Sequence, residues 1–285
     1  MKPPVFTYHD PRTVQEAVEL LAKLESARLL AGGQSLMPML NFRVVRPNNV
    51  IDLNRITALS GISIDGVRIT IGAMTRQAEI ERSSEIAERC PLLQEELRHV
   101  GHRQTRNRGT IGGSLAHMDP AAELPIVALA LRADLHVQSG RGTRTIGMDE
   151  FPVSYMTTAL QPDELLIAMS FDAWPHGHAY AFEEFSRRRG DFAIVAAAVL
   201  LRVESGLVRN VSVVVGGIGP RPVRLREVEQ AMIGRRPDLH LAAAAAKPAS
   251  SVEAHSDLHA SARYRQRLAE ILVQRAIARA FSRIR

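Results

Sequence analysis

The chain of 285 residues has one cysteine, Cys90, one tryptophan, and only three lysines, Lys2, Lys23 and Lys247. A single cysteine excludes an internal disulfide, a CxxC redox pair and any metal cluster held by four thiolates of this chain, so a cluster serving it must sit on another chain. With so few lysines, the net charge of +6 is carried by arginines scattered among 30 acids, which is a poor footprint for nucleic acid. The densest basic run, RHVGHRQTRNRG, places Arg98, Arg103, Arg106 and Arg108 where either a solvated helix end or an anion-facing or partner-facing loop would fit. Long apolar runs are missing too: the longest, Phe192 to Leu201, is about half a membrane span. The opening MKPPVFTYHDPR lacks the apolar core of a secretory signal, and the expectation is a soluble cytoplasmic protein.

Several site signatures are absent as well. GRGTRT at Gly140 and GIGPRP at Gly217 lack the third glycine of GxGxxG, and there is no GxxxxGK[ST], HExxH or GxSxG. No acid–base constellation and no metal-ligand set is read in this chain, so the expected catalytic and metal residues are none.

What is present is an ordinary folding composition, 46% hydrophobic and 23% charged, in a chain long enough to favour two domains. DPRTVQEAVELLAKL predicts a helix capped by Thr13, with Glu16 three residues on and Val14, Ala17, Val18 and Leu21 on one face. ARLLAG and NVIDLNRI read as strands around a short helix in LMPMLNFRV, which makes a small α/β unit. GISIDGVRITIGA alternates about Asp65 and Gly66 as a hairpin does. Helices are expected in TRQAEIERS, PLLQEELRHV and AAELPIVALAL, and strands in ADLHVQS and TRTIGM. Pro175 and Gly177 mark the expected domain boundary. Beyond it, HAYAFEEFS, AIVAAAVLLRVES and VRNVSVVVGGIG predict three antiparallel strands. VRLREVEQAMIG and the stretch from about Leu258 predict covering helices, the latter with a stripe of Tyr264, Leu268, Ile271, Leu272 and Phe281. LAAAAAKPASS reads as helix, then loop.

Two glycine pairs stand out, in RLLAGGQSLMP and GTIGGSLAHMDP. A glycine after a strand can take positive φ and lets backbone amides converge on one anion, so two such loops could enclose a pyrophosphate, with Ser35 and Ser114 adding hydroxyl donors. Each pair alone fits a tight strand exit equally well.

AGGQSLMPMLNFRVVRPNNVIDLNRI followed by RNRGTIGGSLAHMDPAAELP closely resembles the FAD-binding medium subunit of the bacterial molybdenum hydroxylases, the group that includes carbon monoxide dehydrogenase and the xanthine dehydrogenases. The resemblance continues through FSRRRGDFAIVAAAV, VGGIGPRPVRLREVE and SDLHASARYRQRLAEILVQRAI, and covers nearly the whole chain in order. It implies an α+β fold: a two-lobed FAD-binding domain of the vanillyl-alcohol-oxidase (PCMH) type over residues 1–175, with lobes of about 1–58 and 59–175, then a smaller carboxy-terminal domain of the carbon monoxide dehydrogenase flavoprotein type over 176–285.

Carried onto this chain, the resemblance implies that the FAD pyrophosphate is held, noncovalently, by Ala31, Gly32, Gly33, Gln34 and Ser35 and by Thr110, Ile111, Gly112, Gly113 and Ser114. Asp119 and Glu123 would reach cofactor hydroxyls or amides, although a helix cap explains Asp119 as well. Phe192 would pack near the flavin ring, where some relatives carry tyrosine; it reads equally as a core aromatic on a strand. Arg187, Arg188 and Arg189 suit partner contacts or plain surface charge, and His117 is expected to be structural or exposed. The implied role is electron transfer: FAD takes electrons from iron–sulfur clusters on a small partner subunit and passes them to an external acceptor, while substrate is oxidised at molybdenum on a large subunit, as a dimer of heterotrimers. A stand-alone FAD-dependent dehydrogenase or oxidase is the alternative, and a nucleic-acid-binding scaffold the rival from another class.

Overall fold

The structure is a computed structural model and describes residues 1–284. The first unit is a three-stranded sheet of order β1-β3-β2, formed by β1 (Thr7–His9), β2 (Ala27–Leu30) and β3 (Asn49–Asp52), all parallel, with α1 (Val14–Lys23) and α2 (Leu36–Asn41) in the connections. Thr13 caps α1 by accepting from the Glu16 amide at 3.1 Å, and Glu16 reaches back to the Arg12 amide at 2.7 Å, which satisfies two donors the helix start would leave free. The unit closes on a small core of Ala17, Val18, Ile51 and Leu53.

The second unit follows with β4 (Ile62–Asp65) and β5 (Arg68–Gly72). Six helices then lie between β5 and the rest of its sheet: α3 (Gln77–Arg82), α4 (Ser84–Arg89), α5 (Pro91–Leu97), α6 (Arg103–Arg108), α7 (Ile111–His117) and α8 (Glu123–Ala130). The chain returns through β6 (Asp134–Ser139) and β7 (Gly142–Gly147), the short pair β8 (Pro152–Ser154) and β9 (Thr157–Thr158), and β10 (Leu165–Asp172). β10 completes an antiparallel sheet of order β4-β5-β10-β6-β7. Its central strand, from DELLIAMSFD, belongs to none of the expected elements, because Leu165, Leu166, Met169 and Phe171 are buried without the strict alternation that marks a half-exposed strand.

The third unit carries β11 (Ala179–Phe185), β12 (Val195–Glu204), β13 (Leu207–Gly216), β14 (Val223–Arg224), α9 (Arg226–Met232), α10 (Leu239–Ala246) and α11 (Ala262–Phe281). The sheet has four strands in sequential order where three were expected; β14 is only two residues long, too short for a hydrophobic period to reveal it. Every residue of Val195–Leu201 is fully buried. Alternation then assigns Ala196, Ala198 and Leu200 to the face packed on α5 and α8, and Val195, Ala197, Val199 and Leu201 to the face packed on α10 and α11. A strand covered on both faces reads as one continuous apolar run, and its alanines let helices approach closely on both sides. Of the expected stripe on α11, Leu268 and Leu272 enter this core with Ala269, Val273, Ala276 and Ile277, whereas Tyr264 is exposed.

α8 is buried along its whole length, since it lies between the second unit and the third sheet. Glu95 of α5 fastens the same seam: it accepts from the Phe182 amide at 2.8 Å, from Arg283 at 2.7 Å and from Arg279. The seam brings β11 beside α5, and the β11–β12 loop against the α5–α6 connection, where Gly190 lies on Gly101 and His102.

Candidate functional site

The two glycine loops meet. A Cβ built on Gly32 would run into the Arg108 carbonyl and lie 2.8 Å from Gly109 Cα, and one on Gly113 would stand 3.3 Å from Ala31 Cβ. The contact requires Gly32 to lack a side chain and is tight at Gly113, and it is braced from beneath by residues the sequence did not single out. Asn54 Nδ2 donates to the Ala31 carbonyl at 3.0 Å, Arg76 donates to Asn54 Oδ1 and to the Arg108 carbonyl, and Asp52 Oδ1 accepts from the Asn54 amide at 2.9 Å. One arginine thus links both loops. Burial and the nearby Arg108 charge lower the Arg76 pKa. The available signal was DLNR, an acid and an amide two residues apart at a strand exit, which is the pattern of a side chain bonding its own turn.

The first loop leaves β2 with Gly33 at φ +74° and enters α2 without a side-chain cap, as Ser35 makes no capping bond. The amides of Gly32, Gly33, Gln34 and Ser35 find no acceptor among the described residues, and Gly32 is buried. Four consecutive donors without partners, one of them buried, are costly unless an acceptor arrives from outside the chain. This row fits a phosphate or pyrophosphate, whose oxygens accept from converging backbone amides.

The second loop is built differently. Ile111 N donates to Thr75 O at 3.2 Å, Gly112 N to Ala73 O at 2.8 Å, Gly113 N to the Thr110 hydroxyl at 3.0 Å and Ser114 N to Thr110 O at 3.2 Å. These four amides, expected to point at a ligand, already have acceptors inside the chain, and neither Gly112 nor Gly113 has positive φ. Their glycines serve close packing instead: a Cβ at Gly112 would collide with Ala73, 2.7 Å from its carbonyl, and one at Gly113 would lie 2.7 Å from the Thr110 hydroxyl. The Thr110 amide and the Ser114 hydroxyl are free to face a ligand.

Asp119 bonds its own turn, with Oδ1 accepting from Ala121 N at 2.9 Å, and is not the helix cap the sequence allowed, since α8 has Ala122 at its N-cap and no side-chain cap. Glu123 opens α8, buried, and its pKa is pushed up to about 8 by burial and then by the Glu184 charge. His117 is half-buried, and burial disfavours its charged form. Phe192 lies in the β11–β12 loop and is 61% exposed, so it is neither a strand residue nor part of the core. Arg187, Arg188 and Arg189 of that loop, with Arg98, His99 and Glu184, border an open cavity of about 430 Å³.

The two glycine loops meet between the first and second units, with a row of unclaimed amides on the first, and the third unit carries an exposed aromatic loop. Residues 4–173 match the family model described as the FAD-binding domain in molybdopterin dehydrogenase, and residues 180–280 match that of the carbon monoxide dehydrogenase flavoprotein C-terminal domain. The 6-hydroxypseudooxynicotine dehydrogenase complex subunit alpha of Paenarthrobacter nicotinovorans is 41% identical, over 100% of this chain and 97% of the relative. The carbon monoxide dehydrogenase medium chain of Hydrogenophaga pseudoflava is 35% identical over 99% of each. Among solved structures, a carbon monoxide dehydrogenase from Hydrogenophaga pseudoflava superposes with a TM-score of 0.97 at 36% identity, covering 100% of both chains. Quinoline 2-oxidoreductase from Pseudomonas putida 86 gives 0.95 at 34%, covering 99% of each. The chain belongs to the FAD-binding medium subunits of the molybdenum hydroxylases, and is an oxidoreductase component with an FAD-binding domain. Among the described residues, no helix is long and apolar enough to cross a membrane.

Proposed function

We propose that this chain relays electrons in a cytoplasmic heteromeric molybdenum hydroxylase, between iron–sulfur clusters on a small partner subunit and an external acceptor, while a large subunit oxidises the substrate at molybdenum. The observation that carries it is the row of unclaimed amides from Gly32 to Ser35, in a chain with one cysteine. The fit to FAD rests on chemistry present in the loops: a row of unclaimed donors, that of Gly32 buried, and a contact between the loops that a Cβ on Gly32 would fill.

When bound, FAD supplies reversible uptake of electrons singly or in pairs, so the protein's contribution is binding, orientation and tuning. In this reading the Gly32–Ser35 amides take the pyrophosphate, and Ala31, held by Asn54, fixes their height. Thr110 and Ser114 close the opposite side, with Ile111, Gly112 and Gly113 as the wall that brings them near. Asp119 and Glu123 lie along the same wall, and Phe192 covers the ring from its exposed loop. The chain divides between β10 and β11, around Trp174, into the FAD-binding domain and the smaller domain that holds this loop. The relatives, named as a complex subunit, a medium subunit and a medium chain, support assembly with small and large partners and weigh against a stand-alone enzyme; the arrangement in this reading is a dimer of heterotrimers.

The test is reduction by substrate with and without partners. Purified protein should bind one FAD that acid precipitation releases. In the complete assembly substrate should bleach cluster and flavin bands, whereas the lone flavoprotein given the same substrate should stay oxidised. Bleaching of the lone chain at the rate of the assembly would establish a stand-alone dehydrogenase instead.

A further inference from the structure

Two peptide planes meet where the glycine loops touch: Ala31–Gly32 from the first unit and Arg108–Gly109 from the second, with the Arg108 carbonyl where a Cβ on Gly32 would stand. A trans peptide is planar, and its C=O and N–H point in opposite directions. Whatever holds the carbonyl therefore aims the amide on the other side of the same plane. Asn54 Nδ2 holds the Ala31 carbonyl at 3.0 Å, so the Gly32 amide, buried and without an acceptor among the described residues, is turned the opposite way.

Asn54 can do this because its own side chain is fully committed. Nδ2 donates to the Ala31 carbonyl and to Asp52 Oδ1, the Asn54 backbone amide donates to the same Asp52 oxygen at 2.9 Å, and Asn54 Oδ1 accepts from Arg76. A flipped side-chain amide would lose all of these bonds but the backbone one. Asp52 is held in turn by Tyr8, whose hydroxyl donates to Oδ2 at 2.6 Å. Arg76 comes from the second unit, where its backbone is pinned along the second loop. It pairs with Thr110 in a short antiparallel bridge, flanked by Gln77 N donating to Gly109 O at 2.9 Å and Ile111 N donating to Thr75 O at 3.2 Å. From that base the guanidinium sends Nη2 to Asn54 and Nη1 to the Arg108 carbonyl. A carbonyl left free beside a row of amides would oppose an anion, and Arg76 takes it up. The planar fork of arginine serves both acceptors at once, which the single nitrogen of lysine does not reproduce.

We propose that Arg76 is a positioning residue of the cofactor site: acting through Asn54, it fixes which way the Ala31–Gly32 peptide faces, and it keeps the Arg108 carbonyl from facing the phosphates. The inference rests on the reading that the Gly32–Ser35 amides take the FAD pyrophosphate. Gly32 and Gly33 have no Cβ to resist a turn of the backbone. Without the relay the free chain holds both orientations of this peptide, and the ligand binds only the fraction with the amide turned toward it. Affinity then falls while the fold persists.

The test uses the full chain with FAD and with ADP, which carries the pyrophosphate without the flavin. Arg76→Met and Asn54→Ala should each weaken FAD and ADP by the same factor, about 10- to 100-fold. The double variant should bind no more weakly than the weaker single variant, because both changes act through one peptide. Arg76→Lys should recover only part of the loss. In the nitrogen–proton correlation spectrum of wild type, ADP should shift the Gly32 amide resonance; Asn54→Ala should lose that shift and keep the one at Ser35, a pattern that general loosening of the fold does not give. If Arg76→Met does not fold, Arg76→Lys and Asn54→Ala carry the same comparison. Folded variants that bind FAD and ADP as wild type does, or losses that add in a double variant, would overturn the positioning role and leave the FAD reading intact. A wild-type chain in which neither ligand moves any amide resonance of residues 32–35 would instead overturn the reading beneath it.

Discussion

The two glycine loops share a sequence signature and differ in physics. AGGQS has a glycine at positive φ and a row of amides without internal acceptors, whereas TIGGS is a capped helix start whose amides are satisfied by Ala73, Thr75 and Thr110. In the proposed reading one loop receives an anion, and the other holds a wall close to it. A glycine pair therefore announces that backbone must come close to something, and only the structure tells whether that is a ligand or the chain itself.

The largest effect that would break this contrast is at Gly112, where any Cβ meets the Ala73 backbone. Gly112→Val should cost about 3 kcal/mol of stability, as overpacking against a fixed main chain does, read as a lowered denaturation midpoint. Gly33→Val should act chiefly on the ligand: with φ at +74° the branched side chain strains the loop by about 1–2 kcal/mol. Reorienting the amides should weaken FAD binding about 100-fold, or roughly 2.7 kcal/mol, by fluorescence titration. Equal losses of stability and affinity in the two variants would erase the distinction between the loops.

A third expectation concerns the wall's extension into α8. The buried Glu123 carboxyl keeps its proton up to about pH 8, whereas unfolded it would ionise near 4.5. The native state binds the extra proton, so stability falls as pH rises through that window, by at most about 1.4 kcal/mol per unit for one group. Glu123→Gln should flatten this slope in chemical denaturation of the FAD-free chain. The smallest effects separate two hydroxyls. Thr110→Val should lose about 1 kcal/mol with its cap, while Ser35→Ala, which removes no capping bond, should change stability by less than about 0.5 kcal/mol and lower FAD affinity a few-fold.

Much of this arrangement was legible before the fold. Thr13 and Glu16 announced α1, the Asp65–Gly66 pair its hairpin, and the apolar run around Ala196 a strand, because each signal is local; helices were expected on one face of that sheet, and its burial on both faces comes from α8, packed from the second unit. The central strand β10 was not, since its register is set by β5 and β6, far away in sequence. Nor was the brace of Asn54 and Arg76, whose partners lie 23 and 32 residues away in the two loops. Glu95 and Glu96 are adjacent and alike in sequence, yet one is paired three ways and the other has no partner among the described residues; only the packing of β11 and α11 on α5 distinguishes them.

The central claim, that the first loop grips the cofactor by its amides and the second by its shape, is tested most directly by amide hydrogen exchange with and without FAD. The account predicts that peptides spanning residues 32–35 exchange rapidly in the free chain and become strongly protected when FAD binds, while those spanning 111–114 are already slow and change little. Protection gained at 111–114 with none at 32–35 would contradict it.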